Sequence, residues 1–412
     1  MKASTFSLCL LLAASSTAFA DDWPMFRGPH RDDNSKETGL LKQWPGEGPK
    51  RLWINDKLGL GYSGFAVVKG AIYVLGAREG VETLIALDAK TGVEKWASEI
   101  GPMLENPWGN GPRSTPTVDG DKIYAMSGKG ELICANSGDG KILWKVNMSD
   151  FGGKTPGWGY TESPIVDGNN VICTPGGGQG TLVALDKSTG AKVWQSTDWT
   201  DGAQYSSPVI EDIAGNHECI QLTMQSLGAV DANTGKLMWK TPFPGKTAVI
   251  PTPIYKDGQV FVSAGYGVGC IAYNVSSGNS ISLIYANNAL ENHHGGVVLV
   301  GDYLYGYSNK GGWTCEEWKT GAVKWAEKKQ LGKGALTSAD GMLYLLDEKT
   351  GNVALIEASP DGWKEHGRFR LEPQTTQRSP KGGIWTHPVI SNGKLYLRDQ
   401  EYLYCFDVKA PA

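Results

Sequence analysis

The chain has 412 residues, 40% of them hydrophobic and 20% charged, with a formal net charge of −4 at pH 7. So small a charge, without any run of Lys and Arg, argues against nucleic acid as a partner, because that binding requires cations that neutralise phosphates. The 55 Gly and 15 Trp residues indicate many short strands joined by tight turns.

The first 20 residues have the features of a secretory signal peptide. An early Lys precedes an apolar run over residues 6 to 14, and Ala18-Phe-Ala20 stands before Asp21. The run is too short for a permanent membrane span, and no other segment is apolar enough. Cys9 lies within the run and not after the cleavage point, so we find no lipid-attachment box. We expect a periplasmic or secreted protein.

Residues 21 to 50 are polar, contain several Gly and Pro, and lie outside the repeat that follows. We expect them to form an N-terminal arm wrapped on the surface. The repeat itself occupies residues 51 to 409. The predicted division is therefore a signal peptide (1–20), an arm (21–50) and one repeat domain (51–409).

The repeated unit is an apolar strand, a polar turn that ends in Gly, and a second strand that carries a Trp. It occurs at residues 84 to 96, 132 to 144, 182 to 194 and 227 to 239, and its second half recurs at 321 to 325. A constant period of this size is the signature of a repeat architecture. Because the Trp recurs with the unit, we expect it to pack between repeats.

A second hairpin opens each unit, most clearly in the stretch from Thr115 to Tyr124 with its Asp-Gly turn. Each unit is thus four strands, and counting the hairpins gives eight units. Two units are irregular: Ser282 follows Gly278 where a Trp is expected, and residues 351 to 369 depart from the pattern.

The two ends of the repeat region complement each other. Trp53 lies one period before Trp96, whereas residues 402 to 407 match the first half of a unit with no Trp strand after them. The sequence therefore predicts an all-β, eight-bladed β-propeller of four-stranded antiparallel blades, closed by an N-terminal strand. Closure removes open sheet edges that invite aggregation.

Six cysteines follow the signal peptide, with no Cys-x-x-Cys spacing that would indicate a zinc knuckle or a c-type haem. Cys134 and Cys405 occupy the position of Ala86 in the unit, so we expect small buried side chains there. Their pairing cannot be deduced.

The unit Ala-x-Asp-x-x-Thr-Gly-x-x-x-Trp, seen at 86 to 96 and 184 to 194, resembles the repeat of pyrroloquinoline quinone (PQQ)-like propellers. That family includes quinoprotein alcohol dehydrogenases and BamB-like lipoproteins that help to assemble outer-membrane β-barrels. The resemblance implies the fold over residues 51 to 409 but does not select a function. The chain lacks the vicinal cysteine pair of the dehydrogenases and their long insertions.

Candidate site residues precede the innermost strand of each blade, where a propeller's central channel opens. A structural loop does not require charged and aromatic residues there, and convergent polar groups over aromatic walls indicate a ligand site. The candidates are Glu162 and His293 as catalytic residues, and Arg113, Tyr205, His294, Lys333, Trp385 and His387 as ligand- or cofactor-binding residues.

Each candidate also has a structural interpretation. Arg113 suits a carboxylate or phosphate, or a salt bridge to Glu162. Glu162 suits a base or a cation ligand. His293 and His294 should face opposite sides of a strand, which argues against a shared metal, so we predict no metal site. Trp385 suits a planar ring.

Three functions are open from the sequence. The first is an exported propeller that binds a small anionic or saccharide ligand in its central funnel. If the chain is an enzyme, the resemblance implies a PQQ-dependent alcohol or sugar dehydrogenase, with PQQ held by Arg113 and Lys333 and calcium as a second cofactor. The third is a BamB-like scaffold with a protein partner in the cell envelope.

Overall fold

The computed structural model describes residues 22 to 277 and 279 to 411, which form eight four-stranded antiparallel sheets in a β-propeller. The predicted fold class is confirmed. Apart from strands, this part of the chain contains one short 3-10 helix, Met148–Phe151, and no helix in it has the length and hydropathy to cross a bilayer. The predicted signal peptide and Gly278 lie outside the described residues.

The strands follow the chain order. Two strands precede the first blade: β1 (Asn34–Ser35) and β2 (Lys50–Asn55). Blade 1 consists of β3 (Phe65–Val68), β4 (Ala71–Arg78), β5 (Val81–Asp88) and β6 (Glu94–Pro102), and blade 2 of β7 (Thr117–Asp119), β8 (Lys122–Met126), β9 (Glu131–Asn136) and β10 (Ile142–Asn147). Blade 3 consists of β11 (Ile165–Asp167), β12 (Asn170–Cys173), β13 (Val183–Asp186) and β14 (Lys192–Gln195), and blade 4 of β15 (Val209–Ile213), β16 (Asn216–Leu222), β17 (Ser226–Asp231) and β18 (Leu237–Pro242).

Blades 5 to 8 continue the pattern. Blade 5 consists of β19 (Ile254–Lys256), β20 (Gln259–Ala264), β21 (Gly269–Asn274) and β22 (Ser282–Asn287), and blade 6 of β23 (Val297–Val300), β24 (Tyr303–Ser308), β25 (Gly312–Glu317) and β26 (Val323–Glu327). Blade 7 consists of β27 (Gly334–Ala339), β28 (Met342–Asp347), β29 (Asn352–Glu357) and β30 (Glu365–Arg370), and blade 8 of β31 (Val389–Ser391), β32 (Lys394–Asp399) and β33 (Tyr402–Asp407) with β2. First strands of neighbouring blades contact one another, which places them around the axis.

The repeated Asp-x-x-Thr-Gly sequence forms the turn between the third and fourth strands. In blade 1, Asp88 Oδ1 accepts hydrogen bonds from Thr91 N at 2.9 Å and from Thr91 Oγ1 at 3.0 Å. Gly92 follows with a φ of 71°, a left-handed conformation in which L side chains are strained. Asp186 and Thr189 form the same contacts in blade 3.

The repeated Trp packs between blades, as predicted. A Cβ added at Gly92 would lie 2.5 Å from the ring of Trp53, so the turn glycine of one blade receives the Trp of the blade before it. Most of these indoles also donate to a backbone carbonyl of the next blade, at 3.1 Å from Trp144 to Lys187 and at 2.8 Å from Trp325 to Ser359, whereas Trp239 donates to Glu218 of its own blade. In blade 5, Tyr285 takes the Trp position opposite Ala272.

Ring closure by the N-terminal strand is confirmed. Strand β2 pairs antiparallel with β33, with Trp53 opposite Cys405. It thereby supplies the fourth strand of blade 8, although residues 56 to 401 separate β2 from β33 in the sequence. Both ends of the repeat therefore share one sheet. All six cysteines of the described chain are buried and free, as expected for Cys134 and Cys405.

The N-terminal arm crosses the axis of the propeller, and the prediction of a surface arm is wrong for residues 23 to 33. Trp23, Arg27, Arg31 and Asp33 have exposures of 2, 2, 3 and 0%. Several of their polar groups find partners inside: Arg27 Nη2 donates to Val297 O at 2.6 Å, and Arg31 Nη1 donates to Pro208 O at 3.0 Å. These carbonyls offset the cost of burying the arm, because guanidinium groups need hydrogen-bond acceptors when they are removed from water.

Backbone pairing also ties the arm to the blades. Trp23 exchanges two backbone hydrogen bonds with Val67 of blade 1, at 2.7 and 2.8 Å. Further along, β1 pairs in parallel with β27 of blade 7. The arm therefore stands between the inner strands and blocks the channel along the axis.

Candidate functional site

A cavity of about 190 Å³ lies at one end of the channel, above the arm. Phe26 and Arg27 of the arm contribute to its lining, together with residues that precede the inner strands. Trp108 and Tyr266, which are 40 and 38% exposed, mark the side on which the cavity meets solvent.

Position relative to the inner-strand proline correlates with entry into the cavity, although Pro251 and Thr386, two places before their prolines, also line it. The residue three places before the Pro lines it in five blades: Arg113, Thr161, Tyr205, Ile250 and Trp385. Glu162 stands two places before Pro164 and is not part of the lining. Successive side chains of an extended chain point in opposite directions. Thr161 points into the cavity, so the side chain of the next residue, Glu162, points away from it.

Arg113 lines this cavity and keeps one nitrogen of its guanidinium group without a hydrogen-bond partner. Its Nε donates to Trp158 O at 2.7 Å and its Nη2 to Gly109 O at 2.9 Å, and its guanidinium lies 5.0 Å from the centre of the Tyr62 ring. Nη1 has no partner, although the residue is only 9% exposed. Burial lowers the pKa of Arg113 from its usual value. The predicted alternative, a salt bridge to Glu162, is not formed.

Aromatic side chains make up much of the wall. Tyr62 and Trp385 lie 4.7 Å apart between ring centres, and Trp158 meets Tyr205 edge-on at 5.7 Å. The Trp385 Nε1 is buried without a partner. These contacts fix the orientation of the rings, and the wall offers flat apolar faces to a ligand.

His293 belongs to a chain of three polar side chains. Its Nδ1 contacts the Lys333 ammonium, and its Nε2 lies 2.8 Å from the hydroxyl of Tyr266. An ammonium can only donate, so His293 is neutral and carries its proton on Nε2, which donates to Tyr266. Burial, with the charge of His294 and Lys333, lowers the pKa of His293 to about 2. The phenol O–H of Tyr266 is then free to donate elsewhere.

His294 lines the same wall. Its Nε2 lies 3.1 Å from Glu348 Oε2, and its ring centre lies 4.5 Å from that of His293 and 5.2 Å from that of Trp385. The prediction that the two His side chains face opposite sides is wrong, because residues 291 to 296 lie before β23 and are not a regular strand. Burial lowers the pKa of His294, although Glu348 opposes that shift.

His387 joins the cavity to the arm. Its Nδ1 lies 2.9 Å from Asp33 Oδ2, and its Nε2 lies 3.1 Å from the carbonyl oxygen of His294. Asp33 also meets Arg27 Nε at 2.9 Å. Both nitrogens of His387 are thus engaged, so the ring serves the wall of the cavity and not proton transfer.

Two predicted residues lie outside the lining. Glu162 is 1% exposed and accepts hydrogen bonds from Thr174 N and, at 3.4 Å, from Gln221 Nε2. Burial raises its pKa to about 7, and the charge of Arg31 opposes the rise. Lys333 reaches the cavity only through His293. The structure therefore brings together Arg113, Tyr205, His293, His294, Trp385 and His387 in one lining.

Sequence reasoning missed Trp108, Trp158 and Tyr266 as site residues, and Phe26 and Arg27 on the arm; Tyr62 has a position at the channel mouth but was not among the candidates. Trp108 and Trp158 had a signal, since each stands before a Gly in a Pro-bearing loop shortly before an inner strand. The arm residues had none, because nothing local distinguishes a polar segment in a channel from one on the surface.

The lining holds two Arg and three His but neither Asp nor Glu. Across the described residues, no group of three or more His, Cys, Asp and Glu side chains could hold a metal ion. Calcium takes six to eight oxygen ligands, commonly carboxylates, which this lining does not offer. The residues present therefore do not fit a calcium-bound PQQ centre, and Lys333, expected to hold the quinone, is turned to His293.

The fold and its repeat define the class: a PQQ-like β-propeller. A family model described as outer membrane protein assembly factor BamB matches residues 80–327, which is more than half of the chain. The chain belongs to that family.

Individual relatives agree with this assignment. Outer membrane protein assembly factor BamB of Burkholderia pseudomallei is 27% identical over 288 residues, covering 57% of this chain and 70% of the relative. Among solved structures, BamB from Moraxella catarrhalis has a TM-score of 0.64 at 16% identity, covering 88% of this chain and 98% of that one. The quinohemoprotein alcohol dehydrogenase from Comamonas testosteroni has a TM-score of 0.61 at 12% identity, covering 97 and 82%. At such identities the structural likeness concerns the fold alone.

Proposed function

We propose that this protein is an exported propeller that binds a small anionic ligand of the acidic saccharide class, whose ring has an apolar C–H face, in its central cavity. The observation that carries the proposal is Arg113, which lines the cavity and whose buried Nη1 has no hydrogen-bond partner. A buried donor without a partner is costly, and a carboxylate would satisfy it through a charge-assisted bond.

The rest of the lining supports the same ligand class. Arginine side chains in a lining without any carboxylate favour an anion, and the faces of Trp158, Tyr205 and Trp385 suit the apolar C–H face of a sugar ring. Thr252 also lines the cavity, and its buried hydroxyl, which has no partner, suits a ligand hydroxyl. A saccharide that carries a carboxylate combines these three features.

The test is a binding screen with matched arginine variants. Acidic and neutral oligosaccharides are titrated while the tryptophan fluorescence of the cavity is recorded. We expect Arg113→Gln to lose acidic ligands, whereas Arg78→Gln, which removes an arginine paired with Glu94 outside the cavity, retains them. Absence of binding by any acidic ligand, or equal binding by both variants, contradicts the proposal.

A second candidate function is a scaffold role in the assembly of outer-membrane proteins, favoured by the family match over residues 80–327. It requires a protein partner in the envelope, and the predicted signal peptide is consistent with that location. Deletion of the gene in the source organism should then lower the content of β-barrel proteins in isolated outer membranes. Unchanged barrel content in the deletion strain contradicts this role.

A further inference from the structure

We infer that the cavity is an acid–base active site that cleaves an acidic saccharide by β-elimination, with Tyr266 as general acid and His294 as general base. This inference rests on the proposed function, since it requires that the same cavity hold the carboxylate of the substrate on Arg113. It assigns a reaction where the proposed function assigns only binding.

The general acid is defined by the direction of its hydrogen bonds. Lys333 donates to Nδ1 of His293, and Nε2 of His293 donates to the Tyr266 oxygen at 2.8 Å. The phenol oxygen already accepts a hydrogen bond from His293, so its own O–H is available to the cavity that Tyr266 lines. When Tyr266 gives up that proton, the donor from His293, backed by the Lys333 ammonium, stabilises the phenolate.

The general base is defined by its carboxylate neighbour. Glu348 is 7% exposed, and its Oε2 lies 3.1 Å from Nε2 of His294 without the geometry of a hydrogen bond, so its charge favours the tautomer of His294 that carries the proton on Nε2. Nδ1 of His294 is then the nitrogen that accepts a proton. Burial favours the neutral, basic form of His294, as its lowered pKa reflects.

The groups that face Lys333 determine whether this relay is charged. Glu348 and Lys349 lie near it on its own blade, and His293 and His294 face it from the segment before β23. Burial lowers the pKa of Lys333, while Glu348 opposes that shift. Lys333 is a positioning residue, because it acts through His293 and does not touch the substrate.

The proposed step is balanced without an oxidant or a further reactant. Nδ1 of His294 removes the proton from the carbon next to the carboxylate, whose charge Arg113 offsets. The electron pair forms a carbon–carbon double bond, and the bond from the β carbon to the glycosidic oxygen breaks. Tyr266 protonates that oxygen. The products are an unsaturated uronate and a saccharide with a free hydroxyl, and solvent returns the proton from His294 to Tyr266.

Elimination fits this lining better than hydrolysis. Glycoside hydrolysis typically uses two carboxylates on either side of the bond, and no Asp or Glu is in the lining. The acid and the base also belong to one wall, since the ring centres lie 4.9 Å apart for Tyr266 and His293 and 4.5 Å apart for His293 and His294. Because the acid and the base approach the sugar from the same wall, we expect syn elimination. This geometry suits glucuronate and mannuronate, whose α hydrogen and β oxygen lie on the same face of the ring.

The experiment uses the full chain with oligosaccharides of glucuronate and of mannuronate. Turnover is followed by the ultraviolet absorbance of the unsaturated product, and binding by fluorescence. We expect turnover by the wild type, a loss of about 10²–10⁴-fold in kcat for Tyr266→Phe and for His294→Gln, and bound substrate in both variants. Arg78→Gln is the control and should turn over normally.

Lys333→Met tests the relay through the pH profile. The wild-type rate should fall as pH rises through the pKa of Lys333, because loss of the ammonium removes the stabilisation of the phenolate. The variant should be slower and should lack this alkaline fall, which a purely structural role of Lys333 would not produce. An unchanged alkaline limb overturns the relay.

Other outcomes separate the two levels of the claim. Binding without turnover overturns the elimination and leaves the proposed function intact. New reducing ends without ultraviolet absorbance indicate hydrolysis and also overturn it. Absence of binding by any acidic saccharide overturns both.

Discussion

Trp194 shows at the scale of single residues how the repeat builds the ring. The side chain is 7% exposed, its Nε1 donates to Ala232 O at 3.1 Å, and its ring covers Gly235 of the next blade. One residue therefore joins two blades through packing and through a hydrogen bond.

Replacement of Trp194 by Ala should lower the free energy of unfolding by about 3–5 kcal/mol, because it leaves a cavity at the seam. Urea denaturation measures the change. Trp108→Ala serves as the control, since this side chain is 40% exposed at the cavity and should matter for ligand binding more than for stability. A loss below about 1 kcal/mol for Trp194→Ala would contradict the claim that this side chain stabilises the contact between the two blades.

Turn glycines allow a sharper comparison. Gly190 and Gly168 have φ values of 75 and 53°, so Ala is strained at both. Only at Gly190 would the added Cβ meet a ring, 2.8 Å from Trp144, while Gly168 faces open space. Gly168→Ala should cost about 1 kcal/mol and Gly190→Ala about 1–3 kcal/mol more, as measured by urea unfolding. Equal losses of unfolding free energy in the two variants would contradict the claim that Trp144 packs tightly on Gly190 between the blades.

Residue types predicted the site only where register was read correctly. Arg113 and Tyr205 stand three places before a Pro and enter the cavity, whereas Glu162 stands two places before and does not. The Pro-based register was present in the sequence and would have counted against Glu162. The contact of His293 with Lys333 was not predictable, because it joins segments of two blades.

At the scale of elements, β2 and the arm perform different tasks. The sequence predicted the pairing of β2 with β33 because both halves of one unit were visible at opposite ends. It did not predict that the arm enters the channel, because Arg27 and Arg31 have the composition of a surface segment. Their burial depends on backbone carbonyls such as Val297 O and Pro208 O, supplied by distant blades.

Two truncations separate these tasks. A chain that begins at residue 57 lacks both arm and β2, so it exposes an edge of β33 and should aggregate. A chain that begins at residue 34 keeps β2, so it should elute like the full chain but lose stability, because Glu162 loses the nearby charge of Arg31. Size-exclusion chromatography and thermal unfolding measure both. A soluble, equally stable chain from residue 57 contradicts closure by β2.

At the scale of the whole molecule, buried carboxyl groups should make stability depend on pH. Burial raises the pKa of Glu82, Glu162, Glu211, Glu218 and Glu316 to about 7. Between the unfolded value near 4.5 and about 7 the folded state holds more protons, so stability falls as pH rises through this range. His293 and His294, whose pKa values are lowered, act in the opposite direction, but they are two groups against five.

Thermal unfolding at pH 5 and at pH 8 tests this dependence, with the higher stability expected at pH 5. Glu218→Gln should reduce the difference, because it removes one titrating group but keeps an acceptor for Trp239 Nε1. Glu99→Gln, at an exposed position, should leave it unchanged. Greater stability at pH 8 would mean that the buried glutamates are ionised at little cost.

The central claim is that Arg113 reads a negative charge on a ligand in the propeller's cavity. A calorimetric cycle tests it most directly, with wild type and Arg113→Gln each titrated with a glucuronate trisaccharide and with the uncharged glucose counterpart. The account predicts a coupling between the Arg113 charge and the ligand charge of about 1.5–3 kcal/mol. A coupling near zero, with the acidic ligand bound equally by both proteins, would contradict it.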